Sequence, residues 1–303
     1  MRKTTAAVSA LALSALVLTG CSTAPGSGAA GCERSESAAL SMAVKATGDI
    51  GSAKVSLTAP MPTSKVVYDD LVVGDGAVVR EKTQDVVGSI TLLNGATGQM
   101  IDSGAGVWSP KTLSEQFGGI GAALQCATNG SRVAFAVPAK DLPEGMAAQV
   151  GLGPDESIVG TIDIQEVLRP KAQGRDVFND AQGIPSVVRA PSGQPGIIVP
   201  DGAAPKKLVT ETLIKGDGAK VGKGLAMFQY TAVKWSTRAV TGSSWEKGVV
   251  YDTSTLPPQV MTQVAKATVG SQLLVVDPEK TGDDAIVYVV DVLGIVPPEL
   301  VRG

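Results

Sequence analysis

The chain has 303 residues and a formal net charge of −3, and it contains no histidine. This length allows two ordinary domains of about 150 residues each. The near-neutral charge gives no indication of the basic face that nucleic-acid-binding proteins use, so we expect no nucleic-acid partner. The absence of histidine excludes Ser-His and Cys-His catalytic pairs and histidine-ligated metals, and we expect neither a metal nor a cofactor.

The first 20 residues have the pattern of an export signal. Arg2 and Lys3 precede an apolar run over residues 6–18, which is too short to cross a bilayer comfortably. The run leads into Leu18-Thr19-Gly20-Cys21, which resembles a bacterial lipobox, a signal in which the cysteine is acylated and becomes the first mature residue. Residues 21–31 then form a flexible tether, and we expect a lipid-anchored protein on the extracytoplasmic face of the cell membrane. The alternative is an ordinary signal peptide with an incidental Cys21.

The three cysteines of the chain are Cys21, Cys32 and Cys126. If Cys21 carries lipid, the other two remain in an oxidising compartment, where cysteines commonly pair. We therefore predict a Cys32–Cys126 disulfide that fastens the N-terminal segment to the first domain. The alternative is two separately buried thiols.

An internal repeat divides the chain. Three short motifs occur twice in the same order. They are Gly74-Asp75-Gly76 and Gly216-Asp217-Gly218, then Asn129-Gly130-Ser131-Arg132 and Val269-Gly270-Ser271-Gln272, then Ile162-Asp163-Ile164 and Val290-Asp291-Val292. The interval between the last two motifs is shorter by 12 residues in the second copy, which predicts a shortened connection after Pro278.

Each copy has the same coarse pattern of strands and one short helix. In the first copy we predict strands over 65–73, 84–93, 132–137 and 157–168, and a helix over 113–125. In the second copy we predict strands over 207–214, 225–234, 272–276 and 285–295, and a helix over 257–267. The pattern favours an α+β fold, with domains over 32–172 and 206–303 joined by a Pro- and Gly-rich linker over 173–205.

The ordered motifs resemble those of the FKBP-type peptidyl-prolyl cis-trans isomerases. The resemblance rests on the Gly-Asp-Gly turns, on Phe228-Gln229-Tyr230-Thr231, and on the later motifs of each copy. With the lipobox, the chain is similar to tandem FKBP-like lipoproteins of high-GC Gram-positive bacteria. The resemblance implies two units, each a curved antiparallel sheet wrapped on one short helix, in a monomer that acts on proline-containing polypeptides.

The resemblance also implies a candidate pocket in the first copy. Ile101-Asp102-Ser103 matches the family's Phe-Asp-Ser, so Asp102 is the expected pocket carboxylate and Ile101 a wall. The segment Gln116-Phe117-Gly118-Gly119-Ile120 matches the helical stretch that lines the family's pocket. The match implies that Phe117 supplies a backbone N–H donor and that Ile120 forms the floor of the pocket. Trp108 and Ile162 are expected as further walls, and Tyr230 is retained in the second copy.

Alternatives remain for these residues. Asp102 is equally consistent with a carboxylate that caps nearby N–H groups at a strand end. Phe117, Ile120 and Tyr230 are equally consistent with ordinary core packing. In the second copy Pro257 stands at the position of the backbone donor and has no N–H.

Three functions are consistent with the sequence. The first is a membrane-anchored isomerase and folding helper, whose chemistry requires no nucleophile, metal or proton transfer. The second is a catalytically weak or inactive FKBP-like binding module for a cell-envelope or exported protein. The third is a solute-binding lipoprotein, which the scarcity of predicted helices disfavours.

Overall fold

The computed structural model describes residues 32, 34, 37–178, 181–278 and 284–296. The signal sequence, Cys21 and the tether therefore lie outside the described residues. In chain order the elements are α1 (Ala38–Ala43), β1 (Val44–Thr47), β2 (Lys54–Leu57), β3 (Val67–Val72), β4 (Val86–Asn94), β5 (Met100–Trp108), α2 (Pro110–Phe117), β6 (Arg132–Pro138), α3 (Met146–Gln149), β7 (Ser157–Val167), β8 (Gly174–Asp176), β9 (Ser186–Arg189), β10 (Pro195–Ile198), β11 (Val209–Gly216), β12 (Leu225–Lys234), β13 (Val240–Ser243), α4 (Pro258–Val264), β14 (Gln272–Pro278) and β15 (Ala285–Val296). No helix among these described residues is long and apolar enough to cross a membrane.

Strands β3 to β7 form the first sheet, which is antiparallel throughout and has the order β3-β6-β7-β4-β5. The central strands β4, β6 and β7 are rich in Val and Ile and are largely buried. Helix α2 packs on one face over a group of apolar side chains that we call the first core cluster. Its fully buried members include Val86, Leu113, Phe135, Ile162 and Ile164.

Helix α2 begins and ends at clear local signals. Ser109 and Thr112 form a capping box, in which the Thr112 N–H donates to Ser109 Oγ over 3.1 Å. The helix ends at Gly118, which has a φ of 68° and would place a Cβ 2.2 Å from the Asp141 carbonyl oxygen. The chain continues as a 3₁₀ helix over Gly118–Ala123. The observed helix therefore starts earlier and ends sooner than the predicted span of 113–125.

The other face of the first sheet is covered by segments that the sequence pattern missed. Helix α1 and the β1–β2 hairpin bury Leu40 and Val44 against Ala134 and Ala136 of the sheet. The predicted Cys32–Cys126 disulfide is present, with a Cα–Cα distance of 5.5 Å. It joins the start of the described chain to the segment before β6.

The second sheet has the order β13-β12-β15-β14-β11-β8 and is also antiparallel. Apart from the added edge strand β8, this order matches that of the first sheet. Helix α4 packs on one face over the second core cluster, which contains Phe228, Val260 and Val290. The fold is thus mixed, with antiparallel sheets and few helices, and most of its regular structure is strand.

The segment over 173–205 is more ordered than its composition indicates. Strand β8 extends the second sheet, and the β9–β10 hairpin contributes Val187, Ile197 and Val199 to a cluster on the sheet face opposite α4. The first sheet carries the β1–β2 hairpin in the corresponding place. The Pro and Gly residues of this segment therefore lie within short strands and in the turns between them.

The repeated Gly-Asp-Gly motif has the same contacts in both sheets. The Gly74 N–H donates to Ser131 Oγ over 3.0 Å, and the Gly216 N–H donates to Ser271 Oγ over 3.0 Å. A Cβ at Gly74 would lie 1.9 Å from a backbone oxygen, and one at Gly216 would lie 2.2 Å from another. Glycine is therefore required at both turns because the backbone of the facing loop approaches too closely for a side chain.

The connection between the last two strands differs between the sheets. Residues 139–156 join β6 to β7, whereas residues 279–284 join β14 to β15. The difference agrees with the shortened connection predicted after Pro278. The two sheets touch through Val87 and Leu168 on one side and Met227 and Val296 on the other.

Candidate functional site

The edge strand β5 carries two of the predicted site residues. Leu92 of β4 pairs with Asp102, and the next residue, Leu93, pairs with Met100, so Ile101 is the extra residue of a β-bulge. Directly paired residues project to the same face of a sheet, and Leu92 belongs to the first core cluster. Asp102 therefore lies on the α2 side of the sheet. Ile101 packs against the same cluster.

Two aromatic side chains flank α2 on this side. Trp108 is the last residue of β5, and Phe117 is the last residue of α2. Both are half-buried and pack against the first core cluster. Ile101 is also half-buried against this cluster, so each of the three side chains keeps part of its area exposed. We call these exposed parts the β5–α2 surface.

Ile120 and Ile162 lie beneath this surface. Both side chains are fully buried in the first core cluster, Ile120 from the 3₁₀ helix and Ile162 from β7. In this conformation they expose no area that a ligand could touch. Both belong to the cluster against which Ile101, Trp108 and Phe117 pack.

The Asp102 carboxylate is exposed and has one local partner. Its Oδ1 accepts a hydrogen bond from the Ser103 N–H over 2.8 Å. Among the residues that the structure describes, no lysine or arginine forms a salt bridge with it. The carboxylate can therefore accept a further hydrogen bond from a bound group.

Tyr230 lies apart from these residues, in the second sheet. It is half-buried on β12, packs against the second core cluster, and has its ring centroid 6.3 Å from that of Phe228. In the second sheet Ala232 pairs with Gly242 and Val233 with Val240, which leaves Thr241 as the extra residue of the same bulge. By this register Thr241, Gly242 and Ser243 hold the positions of Ile101-Asp102-Ser103, and they carry no carboxylate. Helix α4 begins after Pro257, which has no N–H to donate.

A cleft between the two sheets was not predicted. Its volume is about 410 Å³, and both sheets contribute to its lining. Within it the Asp85 carboxylate accepts a hydrogen bond from the Val249 N–H, while burial raises the pKa of Asp85 to about 6. The sequence carries no signal for this cleft because its residues are distant in the chain and come from separate copies of the repeat.

The described residues contain no cluster of three or more His, Cys, Asp or Glu side chains placed to hold a metal ion. The chemical groups available at the β5–α2 surface are apolar side chains and the Asp102 carboxylate. Such groups can bind and orient a neutral polypeptide.

Comparisons with known proteins give structural likenesses at low identity. No protein-family model matches the chain, and no curated protein matches it. The three FKBP domains of wheat FKBP73 align over 78% of this chain and 99% of that chain, at 12% identity and a TM-score of 0.34. A peptidyl-prolyl cis-trans isomerase from Pseudomonas syringae aligns over 36% of this chain and 83% of its own, at 16% identity and a TM-score of 0.29. FkpA from Escherichia coli aligns over 34% of this chain and 47% of its own, at 15% identity and a TM-score of 0.27.

Proposed function

We propose that the chain is a membrane-anchored, extracytoplasmic peptidyl-prolyl cis-trans isomerase and folding helper, with its site on the first sheet. The observation that carries the proposal is that Ile101 packs half-buried against the first core cluster beside Asp102, while Trp108 and Phe117 pack half-buried against the same cluster further along. In this account a proline ring of the substrate rests on the exposed part of Ile101, and Asp102 is its neighbour on the strand.

The chemistry of the reaction suits these groups. Rotation about an X–Pro bond crosses a barrier of about 18–20 kcal/mol because the twisted amide loses its resonance. The twisted amide has less charge separation than the planar one, so an apolar surface favours it relative to water. A group that interacts better with the twisted form than with the planar form lowers the barrier. Asp102 is our candidate for such a group. Phe117 is the last residue of α2, where a backbone N–H is bonded within the helix, so the donor that the resemblance implies is not free in this structure.

We propose further that the two sheets are tandem FKBP-like units and that the second is mainly structural. The shared strand order supports a common origin. The absence of a carboxylate at Gly242 and of an N–H at Pro257 supports the loss of the site in the second sheet. Tyr230 then acts as a core residue with a half-buried ring.

Membrane anchoring through Cys21 is part of the proposal. It is supported by the lipobox-like sequence before Cys21 and by the small, polar residues that follow it. Metabolic labelling with a radioactive fatty acid tests it. Labelling of the wild type that is lost in Cys21→Ala is the expected result, and equal labelling of both forms would contradict it.

A second candidate function is a binding module without catalysis. The observation that favours it is the complete burial of Ile120 and Ile162, which leaves no accessible floor beneath the Ile101 surface. A module of this kind holds a proline-containing segment of an exported or cell-envelope protein. It does not change the rate of rotation.

Refolding of a small protein that is limited by one X–Pro bond distinguishes these functions. We expect the purified full chain in mild detergent to accelerate the slow phase, and Asp102→Ala to remove most of that acceleration. Asp75→Ala is the matched control, because Asp75 is an exposed carboxylate of the Gly-Asp-Gly turn outside the cluster. A slow phase that the wild type leaves unchanged would favour the binding module.

A further inference from the structure

The cleft between the two sheets has features of a second binding site, separate from the proposed isomerase site. Its volume of about 410 Å³ lies in the range of ligand sites in proteins, about 300–1,000 Å³. The segment before β4 and the start of α2 supply one wall, and β12 with the turns after β9 and β13 supplies the other. The lining includes Thr83, Asp85, Lys111, Gln229, Trp245 and Lys247.

Local hydrogen bonds position the two lining residues from the second sheet. The Tyr230 N–H donates to Ser244 Oγ over 3.0 Å, and the Ser244 N–H donates to the Tyr230 carbonyl oxygen over 3.1 Å. These bonds fasten the turn after β13 to β12. They therefore fix the backbone next to Gln229 and Trp245, both of which line the cleft.

Gln229 and Trp245 each have a buried polar atom without a partner. Gln229 Oε1 and Trp245 Nε1 are buried and make no hydrogen bond with any described residue. Trp235 provides the contrast, because its Nε1 donates to the Gly202 carbonyl oxygen over 3.0 Å. Both residues line the cleft, and buried polar groups in folded proteins are usually paired, so these two atoms indicate a missing partner.

The charges around the cleft narrow the chemistry of that partner. Three carboxylates, of Glu81, Asp85 and Glu246, face two ammonium groups, of Lys111 and Lys247. This mixture gives no strong field for either a phosphate or a cation. The unpaired acceptor, Gln229 Oε1, and the unpaired donor, the Trp245 indole N–H, instead match the N–H and C=O of a backbone amide.

We propose that this cleft binds an extended, uncharged segment of polypeptide through its backbone amides. Gln229 accepts a hydrogen bond from a backbone N–H of the segment, and Trp245 donates one to a backbone carbonyl. The half-buried indole ring of Trp245 packs on an apolar side chain of the segment. Proline is not required, so the cleft adds a sequence-tolerant contact for a polypeptide.

Fluorescence anisotropy with a labelled, proline-free peptide of Gly, Ser, Asn and Leu residues tests the proposal on the full chain in mild detergent. We expect saturable binding, weakened by about three- to tenfold in Trp245→Phe and in Gln229→Met, since each loses one hydrogen bond to the peptide. Trp235→Phe is the matched control and is expected to bind within about twofold of the wild type. Circular dichroism establishes that each variant is folded, and the two cleft variants provide independent tests.

Three outcomes would overturn the proposal. The first is the absence of wild-type binding, which would mean that water fills the cleft. The second is unchanged affinity in both Trp245→Phe and Gln229→Met. The third is a loss of affinity in Asp102→Ala with none in the cleft variants, which would assign the peptide to the β5–α2 surface. Failure of the isomerase assay leaves this result unaffected, because the probe contains no proline.

Discussion

Arg132 and Asp163 form a buried ion pair across β6 and β7. Arg132 Nε lies 2.6 Å from Asp163 Oδ1, and Arg132 Nη2 lies 2.8 Å from Asp163 Oδ2. Arg132 also donates to the carbonyl oxygens of Gly48 and Asp49, and Asp163 accepts from the Gly51 N–H. The pair therefore connects the first sheet to the turn of the β1–β2 hairpin.

The second sheet has a related arrangement without an arginine on the neighbouring strand. Gln272 Nε2 donates to Asp291 Oδ1 over 2.7 Å, and the Ala172 N–H donates to Asp291 Oδ2 over 2.9 Å. Burial raises the pKa of Asp291 to about 6. In both sheets a buried aspartate of the last strand thus holds a preceding segment against the sheet.

Replacing Arg132 by glutamine, the residue of the second sheet, is expected to destabilise the first sheet strongly. The change removes the positive charge that compensates the buried Asp163 carboxylate and at least one of the two hydrogen bonds to it, and losses of a buried charge partner cost about 3–5 kcal/mol. Urea unfolding measures the change in the free energy of unfolding. Arg238→Gln is the control, because the Arg238–Asp201 pair is exposed and is expected to contribute about 0–1 kcal/mol. Equal effects of the two substitutions would contradict the role given to Arg132.

Asp85 is expected to make stability depend on pH. Its pKa in the folded chain, about 6, lies above its ordinary value of 3.8 because of burial. The folded state therefore binds the proton more tightly, and this contribution to stability is complete below about pH 4 and lost as the pH rises through about 6.

The Asp85→Asn variant tests this dependence. Asparagine removes the buried charge and retains an oxygen that accepts from the Val249 N–H. The free energy that corresponds to the pKa shift is reduced here because Asp85 keeps some contact with solvent. We expect the variant to be more stable than the wild type by about 1 kcal/mol at about pH 7.5, and this advantage to disappear near pH 4. Urea unfolding at both pH values measures it, and an advantage that grows as the pH falls would refute the assignment.

The Cys32–Cys126 disulfide is expected to be a major source of stability. The two cysteines are 94 residues apart, and on the chain-entropy account a closed loop of this size stabilises by roughly 4 kcal/mol. The Cys32→Ser, Cys126→Ser double variant should lower the free energy of unfolding by about that amount. Adding a reductant to the wild type should reproduce the effect, and insensitivity to both changes would contradict the assigned role.

The two glycines Gly74 and Gly104 are expected to respond differently to alanine. A Cβ at Gly74 would lie 1.9 Å from the Asn129 carbonyl oxygen, whereas a Cβ at Gly104 would have no atom within 4 Å. We expect Gly74→Ala to cost more than about 2 kcal/mol and Gly104→Ala to stay within about 0.5 kcal/mol of the wild type. Thermal unfolding of both variants measures the difference. Similar melting temperatures would contradict the close approach at the turn.

The sequence predicted the strands whose patterns are strongest. The span 225–234 coincides with β12, and the predicted strands over 132–137 and 157–168 agree with β6 and β7 within one residue. These strands are dominated by Val, Ile and Thr because they are central and buried. Strand β5 was not predicted, since it is an exposed edge strand that contains Gly104 and Gly106, two residues that disfavour strands.

The sequence predicted only part of the candidate site. Family resemblance selected Ile101, Trp108 and Phe117, which the structure groups on one core cluster. It gave no means of seeing that Ile120 is fully buried. Burial depends on how α2 and the 3₁₀ helix pack, and short motifs do not encode that packing.

The most direct test of the central proposal measures X–Pro rotation itself. Exchange spectroscopy by NMR on a short proline-containing peptide gives the cis–trans rate with and without the full chain in mild detergent. We predict line broadening or exchange peaks from accelerated rotation with the wild type and with Asp75→Ala, and a much smaller effect with Asp102→Ala. A rate that equals the uncatalysed rate, in the presence of demonstrated peptide binding, would contradict isomerase activity.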